Sequence, residues 1–286
     1  MSVERLGIVG CGLMGSGIAE AAARAGIDVR VVEQDQAAID RGRGRINASL
    51  SRAIESGKLD GVQGQRAFDQ IDFTLDLDSL WDRQMVVEAV IEAESDKVAV
   101  FEAIDKIVEF DDAVLASNTS SIPIMKLAMA TQRPQRVIGI HFFNPVPILP
   151  LVELVTSLLT GEDAIEVAQA FASTQLKKHV IRSQDRAGFI VNALLIPYVL
   201  SAVRMLESGF ATAEDIDVGM VKGCAHPMGP LALADLIGLD TTVAVAKSLY
   251  EEFKEPLYAP PPLLARMVDA GLLGRKSGRG FYSYTK

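Results

Sequence analysis

The stretch "RLGIVGCGLMGSGIAEAAARAGIDVRVVEQD", residues 5 to 35, constrains the fold more than any other part of the chain. A short β-rich run ends in glycine, and Gly10, Gly12 and Gly15 then stand in G-x-G-x-x-G spacing. Helix formers follow, and a second β-rich run ends at Glu33. A glycine triplet alone is a weak signal, because loops supply many by chance. Set between a strand and a helix, with an acid closing the next strand, it becomes a strong signal for a dinucleotide-binding unit. Gly10 permits the tight turn, Gly12 lets a pyrophosphate approach the backbone, and Gly15 allows close helix–strand packing. The helix N-terminus offers N–H donors and a positive dipole end to phosphates. Leu13 and Met14, inside the motif, complete the cofactor contacts expected of this loop. Glu33 is placed to accept hydrogen bonds from an adenosine ribose and to repel a 2′-phosphate. Gln34 and Asp35 follow it rather than arginine, so NAD is expected over NADP.

Further strands are predicted at "MVVEAV", "AVLAS" and "RVIGIHFF", separated by helical stretches such as "SDKVAVFEAIDKIV". This alternation predicts an α/β fold, a Rossmann-type doubly wound and mostly parallel sheet over residues 1–184. A helical insertion at about 36–70 carries Arg41, Arg43, Arg45, Arg52 and Lys58. That basic cluster reads either as a solvated helix face or as a dock for an anionic substrate tail. From Asp185 onward the strand signals vanish, which predicts an all-helical domain over 185–286. Its first helix is expected over 188–208, kinked or interrupted by Pro197. "TAED" has capping-box character at the third position after Thr212. The helices are apolar for a lone small domain, so dimerisation through them is expected unless those faces cover the cleft or the first domain.

Composition excludes other classes. A net charge of −9 repels a nucleic-acid phosphate surface. The apolar stretches are broken by Asn, Glu or Pro before membrane-spanning length, and no targeting leader is read at the N-terminus. Cys11 and Cys224 are too few and too far apart for a disulfide framework or a zinc site, so no metal is expected and a reducing cytoplasm fits.

In open α/β sheets the ligand lies beyond the carboxyl ends of the strands, and two polar clusters, "ASNTSSI" and "HFFNPVP", fall there. The chain holds three histidines. His179 opens a strand after "LKK" and is expected to face solvent, and His226 sits between turn formers in "CAHPMGP". Only His141 stands at a strand end within an apolar run. Glu153 follows it by twelve residues, and the proline-rich "NPVPILP" between them can bring "LVELV" back beside "GIHFF". Glu153 would then accept a hydrogen bond from one imidazole nitrogen, fix the tautomer and leave the other nitrogen for substrate. A base of histidine's pKa range is what hydride transfer from an alcohol needs.

"IHFFNPVP…LVELV", "ASNTSSI", "GFIVNALLIPY", "HPMGPLALADLIGLDT" and "GRKSGRGFY" together resemble the L-3-hydroxyacyl-CoA dehydrogenases, the short-chain 3-hydroxybutyryl-CoA group above all, over essentially the whole chain. The resemblance implies that His141 is the base and Glu153 its orienting partner. It implies that Ser120 binds the substrate's 3-oxygen and that Asn192 polarises the substrate. An asparagine inside that apolar helix needs a partner in any case. Asn118 and Asn144 fall by the nicotinamide and the reaction centre, and Glu92 and Lys97 near the cofactor ribose and nicotinamide. Ser49, Arg52 and Lys58 become candidates for the coenzyme A phosphates. The implied activity is the NAD-dependent oxidation of (S)-3-hydroxyacyl-CoA by a homodimer. Ala187, Ala93 and Pro150 depart from the family pattern, which usually has proline, asparagine and a bulkier or charged residue there. The competing readings are a same-fold dehydrogenase of a free sugar acid, as in gulonate dehydrogenases, and a non-catalytic NAD-binding sensor or structural protein.

Overall fold

The computed structural model describes residues 2–284, and the chain forms two compact units, Met1–Arg186 and Ala187–Lys286. The first unit runs β1 (Arg5–Val9), α1 (Leu13–Arg24), β2 (Asp28–Val32), α2 (Gln36–Glu55), α3 (Gly61–Asp69), β3 (Ile71–Thr74), β4 (Met85–Glu88), α4 (Glu94–Ile107), β5 (Val114–Ser117), α5 (Ile124–Ala128), β6 (Val137–Phe142), β7 (Leu151–Thr156), α6 (Glu162–Gln169) and β8 (His179–Gln184). The strands lie in the order β3-β2-β1-β4-β5-β6-β7-β8. From β1 the chain works outward to β3, then returns to the other side at β4, so the switch point lies between β1 and β4. That is where an open doubly wound sheet binds its ligand.

Neighbouring strands are parallel throughout except for β6 and β7. β4, β5 and β6 are buried along their whole length, as their unbroken apolar runs require in a sheet covered on both faces. The edge strand β8 has only exposed and half-buried residues, and exposed His179 opens it. A polar edge of this kind discourages further strand addition.

α2 begins where Asp35 accepts a hydrogen bond from the Ala38 N–H at 2.7 Å, a side-chain N-cap. Ala38, Ile39, Gly42, Ile46 and Leu50 turn one stripe into the core, while Arg41, Arg43, Arg45 and Arg52 stay exposed. Each Ile or Leu buried this way contributes roughly 1.5–3 kcal/mol.

The second unit contains α7 (Val191–Glu207), α8 (Ala213–Gly223), α9 (Pro230–Ile237), α10 (Leu239–Phe253) and α11 (Pro262–Asp269). Its core includes Ile196, Val199, Leu200, Val203, Leu231, Leu239, Leu249 and Leu264. Thr212 caps α8, accepting from the Asp215 N–H at 3.1 Å and donating to its carboxylate at 2.7 Å. α7 starts three residues later than expected and runs through Pro197 without interruption. The segment 281–284 is held by two buried carboxylates. Asp235 accepts from the Phe281 and Tyr282 N–H groups and the Tyr284 hydroxyl, and Asp217 from the Tyr282 hydroxyl and the Leu231 and Ala232 N–H groups. No helix among the described residues is long and apolar enough to cross a membrane.

Glu20 on α1 is 1% exposed. Burial pushes its carboxyl up, against the hydrogen bond from Ser49 and the charges of Arg24 and Arg52. With the folded value raised, the folded chain holds that proton more tightly than the unfolded chain. The group's contribution to stability therefore falls as pH rises through its pKa toward neutrality. Glu20→Gln, which keeps the shape without the charge, is expected to raise the urea midpoint at about pH 7.5 and to raise it less at about pH 5. Equal midpoints for variant and wild type at both pH values would count against this account.

Candidate active site

The glycine loop comes first. Gly10 has φ +94°, and a Cβ there would lie 2.8 Å from the Ala89 carbonyl oxygen. A Cβ on Gly15 would collide with the Gly10 carbonyl. Gly12 differs, because a Cβ there would meet nothing within 4 Å, so the fold itself does not require glycine at this position. Its open side leaves room for a group to approach the backbone closely. Gly12 is also the N-cap of α1 and supplies no side-chain cap, and the first turn carries no acid. The N–H groups there are left for a ligand, as a bound pyrophosphate needs. Met14 is half-buried and Leu13 is 61% exposed at this turn.

Glu33, just past β2, accepts from the Cys11 N–H at the glycine loop and from the Gln34 N–H at 3.1 Å. Its carboxylate is thereby fixed beside the loop, where a ribose would arrive. Cys11 is fully buried there. Burial and then the Glu33 charge push its thiol up to about 12, against the pull of Arg45, so it stays protonated and inert.

The His141–Glu153 pair follows from strand direction. β6 and β7 are antiparallel, with His141 directly opposite Glu153, and the imidazole Nδ1 lies 2.7 Å from Glu153 Oε2. His141 is 6% exposed and Glu153 fully buried. The proline-rich reversal therefore does bring the two together, and the otherwise costly buried carboxylate has its partner. The Phe143 ring lies 4.6 Å from the imidazole. Asn144 is exposed in the turn that follows.

Asn118 leaves the end of β5 and uses its Oδ1 to accept from the Phe142 N–H at 3.0 Å, tying the "SNTSS" segment to the strand of His141. Ser120 is half-buried in that segment, and its N–H donates to Glu92 at 2.9 Å. Glu92 also accepts from the Thr119 hydroxyl at 2.6 Å and from the Ser121 N–H and hydroxyl at 3.1 and 2.9 Å. Burial alone would raise its carboxyl; the Lys97 charge and these donors more than offset that and hold it below its ordinary value. Lys97 is only 1% exposed and pairs with both Glu88 and Glu92.

Asn192 lies in the first turn of α7 in the second unit and is half-buried. It is not embedded in a helix interior, so the argument that burial there demands a partner does not apply. The residues of the basic cluster meet different groups. Arg43 stacks on Phe73 at 4.8 Å, and Arg45 donates to the Cys11 carbonyl at 3.1 Å, on the glycine loop. Ser49 hydrogen-bonds Glu20, while Arg52 and Lys58 are exposed. His226 accepts or donates a 3.1 Å bond with the Tyr198 hydroxyl, a contact within the helical unit. Glu88, Ser117 and Thr119 are not singled out by the sequence, where Arg45 is one cation of a basic cluster. The acid inside "MVVEAV" was the available signal for the first of these. No group of three or more His, Cys, Asp or Glu among the described residues is arranged to hold a metal.

Residues 5–186 match the NAD-binding domain of 3-hydroxyacyl-CoA dehydrogenase, and residues 188–284 match its C-terminal domain. A 3-hydroxybutyryl-CoA dehydrogenase of Mycobacterium tuberculosis is 59% identical over 283 residues, covering 99% of each chain. Among solved structures, M. tuberculosis FadB2 superposes with a TM-score of 0.99 at 58% identity, covering 100% of both chains. The (S)-3-hydroxybutyryl-CoA dehydrogenase PaaH1 of Ralstonia eutropha gives 0.93 at 45% identity, again over 100% of both. Since these matches run through the glycine loop, the His141 strand and the helical unit alike, the chain belongs to the 3-hydroxyacyl-CoA dehydrogenase family and carries that family's NAD-binding domain.

Proposed function

We propose that the chain catalyses the reversible, NAD-dependent oxidation of (S)-3-hydroxyacyl-CoA to 3-oxoacyl-CoA, with 3-hydroxybutyryl-CoA as its substrate. The observation that carries this reading is the buried His141–Glu153 pair on the sheet that bears the glycine loop. In the oxidative direction His141 removes the 3-hydroxyl proton. With Nδ1 held by Glu153, that transfer falls to Nε2, and the carboxylate stabilises the imidazolium that forms. NAD, when bound, supplies the hydride acceptor. Gly10, Gly12, Leu13, Met14 and Gly15 hold its phosphates, Glu33 its adenosine ribose, and Glu92, Lys97, Asn118 and Asn144 keep the nicotinamide end in place. Ser120 and Asn192 hold the substrate's oxygens, so alignment supplies much of the acceleration. Arg52 and Lys58 are the cations offered to the coenzyme A phosphates, and Ser49 is the third residue offered to them. In reverse, the His141 imidazolium returns its proton to the substrate oxygen.

The same reading has the chain working as a homodimer through its helical unit, where Leu194, Phe210 and Val218 are 73%, 79% and 55% exposed. It also places the enzyme in a reducing cytoplasm, in keeping with two free cysteines. Light scattering should return the mass of two chains, and a monomer at micromolar concentration would rule the dimer out.

The direct test is NADH oxidation with acetoacetyl-CoA, run beside NADPH. Fast turnover with NADH and little with NADPH is expected, and His141→Ala should lower kcat at least ~100-fold. Undiminished turnover in that variant would return His141 to a packing role, and a folded, NADH-binding wild type without turnover would refute the function. Because oxidation releases a proton, the equilibrium ratio of oxidised to reduced substrate at a fixed NADH/NAD ratio should rise about tenfold per pH unit.

The glycine loop offers a separate check. Gly12→Ala should melt like the wild type yet bind NADH more weakly in a fluorescence titration. Gly15→Ala should lower stability by about 1–3 kcal/mol or more, since its Cβ has nowhere to go. The opposite pattern would mean that the loop is not a cradle.

A further inference from the structure

Glu88, the last residue of β4, is fully buried and takes no part in the chemistry proposed above. Its Oε1 accepts from Lys97 Nζ at 2.6 Å and from the Val90 N–H at 2.7 Å, and its Oε2 from the Ser117 hydroxyl at 2.6 Å. Lys97 reaches on to Glu92 at 3.2 Å, Glu92 accepts from the Thr119 hydroxyl, and the Thr119 N–H donates back to Ser117 Oγ at 3.1 Å. The contacts close into a ring: Glu88, Lys97, Glu92, Thr119, Ser117 and Glu88 again.

The segment after β5 has no regular structure until α5, so its shape depends on where its N–H groups go. Each of them from 118 to 122 is accounted for by the ring. Asn118 N–H donates to the Glu88 carbonyl, Thr119 to Ser117 Oγ, Ser120 and Ser121 to Glu92 Oε1, and Ile122 to Thr119 Oγ1. An apolar trio in place of Glu88, Lys97 and Ser117 would fill the space at no greater cost, since a buried ion pair is weak support for stability. What apolar residues cannot do is fix a carboxylate under a loop.

We propose that Glu88, Lys97 and Ser117 are positioning residues, whose closed ring with Glu92 and Thr119 presents Ser120 to the substrate in a single geometry. This rests on the reading of Ser120 as the group that binds the substrate's 3-oxygen. The experiment has two arms, both on the full chain. In the first, amide hydrogen exchange is compared between wild type and Ser117→Ala at Ser120, Ser121 and Ile122, whose N–H groups do not touch Ser117. Exchange there should quicken at least ~10-fold while β4 and β5 keep their protection. In the second, with acetoacetyl-CoA and NADH, Ser117→Ala should lower kcat about 5–50-fold. The Ser117→Ala/Ser120→Ala double variant should then be no slower than Ser120→Ala alone, because no hydroxyl remains to be aimed. Glu88→Gln, which keeps the shape and loses the charge, should behave as Ser117→Ala does. Unchanged exchange in the loop, or losses that add in the double variant, would overturn the proposal. A wild type inert toward acetoacetyl-CoA would instead remove the catalytic reading of Ser120, and the exchange arm would still decide whether the ring orders the loop.

Discussion

The reversal of strand direction between β6 and β7 is the arrangement on which the site depends. In a purely parallel sheet a side chain near the end of one strand meets only residues at the same level of its neighbours, and each neighbour arrives after a crossover of a dozen residues or more. Turning back instead of crossing over places Glu153, in the middle of β7, against His141, near the end of β6. The carboxylate therefore comes from inside the core, fully buried, where its attraction for an imidazolium is strong and where it would be intolerable alone. One change in topology supplies the imidazole's partner and its low-dielectric surroundings together.

The parallel strands share a level at which apolar residues give way to polar ones. Val9 pairs with Glu88, Glu88 with Ser117 and Ser117 with Gly139, and His141 stands two residues further along β6. Below this level β1, β4, β5 and β6 are apolar core. Above it lie the glycine loop, the Glu88 ring and the "SNTSS" segment. The core thus ends where the site begins, and each buried polar group at the boundary is answered by another group of the same layer. That is how a sheet of short apolar strands carries Glu88, His141 and Glu153, with Lys97 reaching in from α4, without losing its packing.

What could be read from the sequence follows from cost. Gly10 and Gly15 are dictated by sterics, and His141 and Glu153 by the penalty of burying either alone, so a pattern of residues betrays them. The sheet was legible for the same reason, since unbroken apolar runs of strand length have few other uses. Exposed groups carry no such mark: Arg45 looked like one more solvated cation beside Arg41 and Arg43, yet its guanidinium lies on the glycine loop. Asn192 misled in the other direction. Its apolar neighbours suggested a helix interior, but α7 starts at Val191 because Gly188 and Phe189 take positive φ, and a residue in a first turn is under no obligation to find a partner. Glu88 was missed although it obeyed the rule, an acid inside an apolar strand.

Register is the remaining requirement, because a slip of one residue would turn His141 to the opposite face of the sheet. The connection over residues 143–150 is too long to impose a register by turn type alone. Three contacts do so instead. A side chain at position 139 would press within 2.8 Å of Val155 Cβ, so only glycine at that level lets the strands close. Asn118 holds the Phe142 N–H from the β5 side. Lys178, just before β8, donates to the Val146 and Leu149 carbonyls at 2.6 and 2.7 Å, clasping the connection from its far edge. Burial, and then the charge of Arg24, lower the basicity of that lysine, as expected of an ammonium partly stripped of water. Two carbonyls replace the water it has lost. The position of the imidazole is thus set by a glycine, an asparagine and a lysine, each acting on a different side of the strand pair.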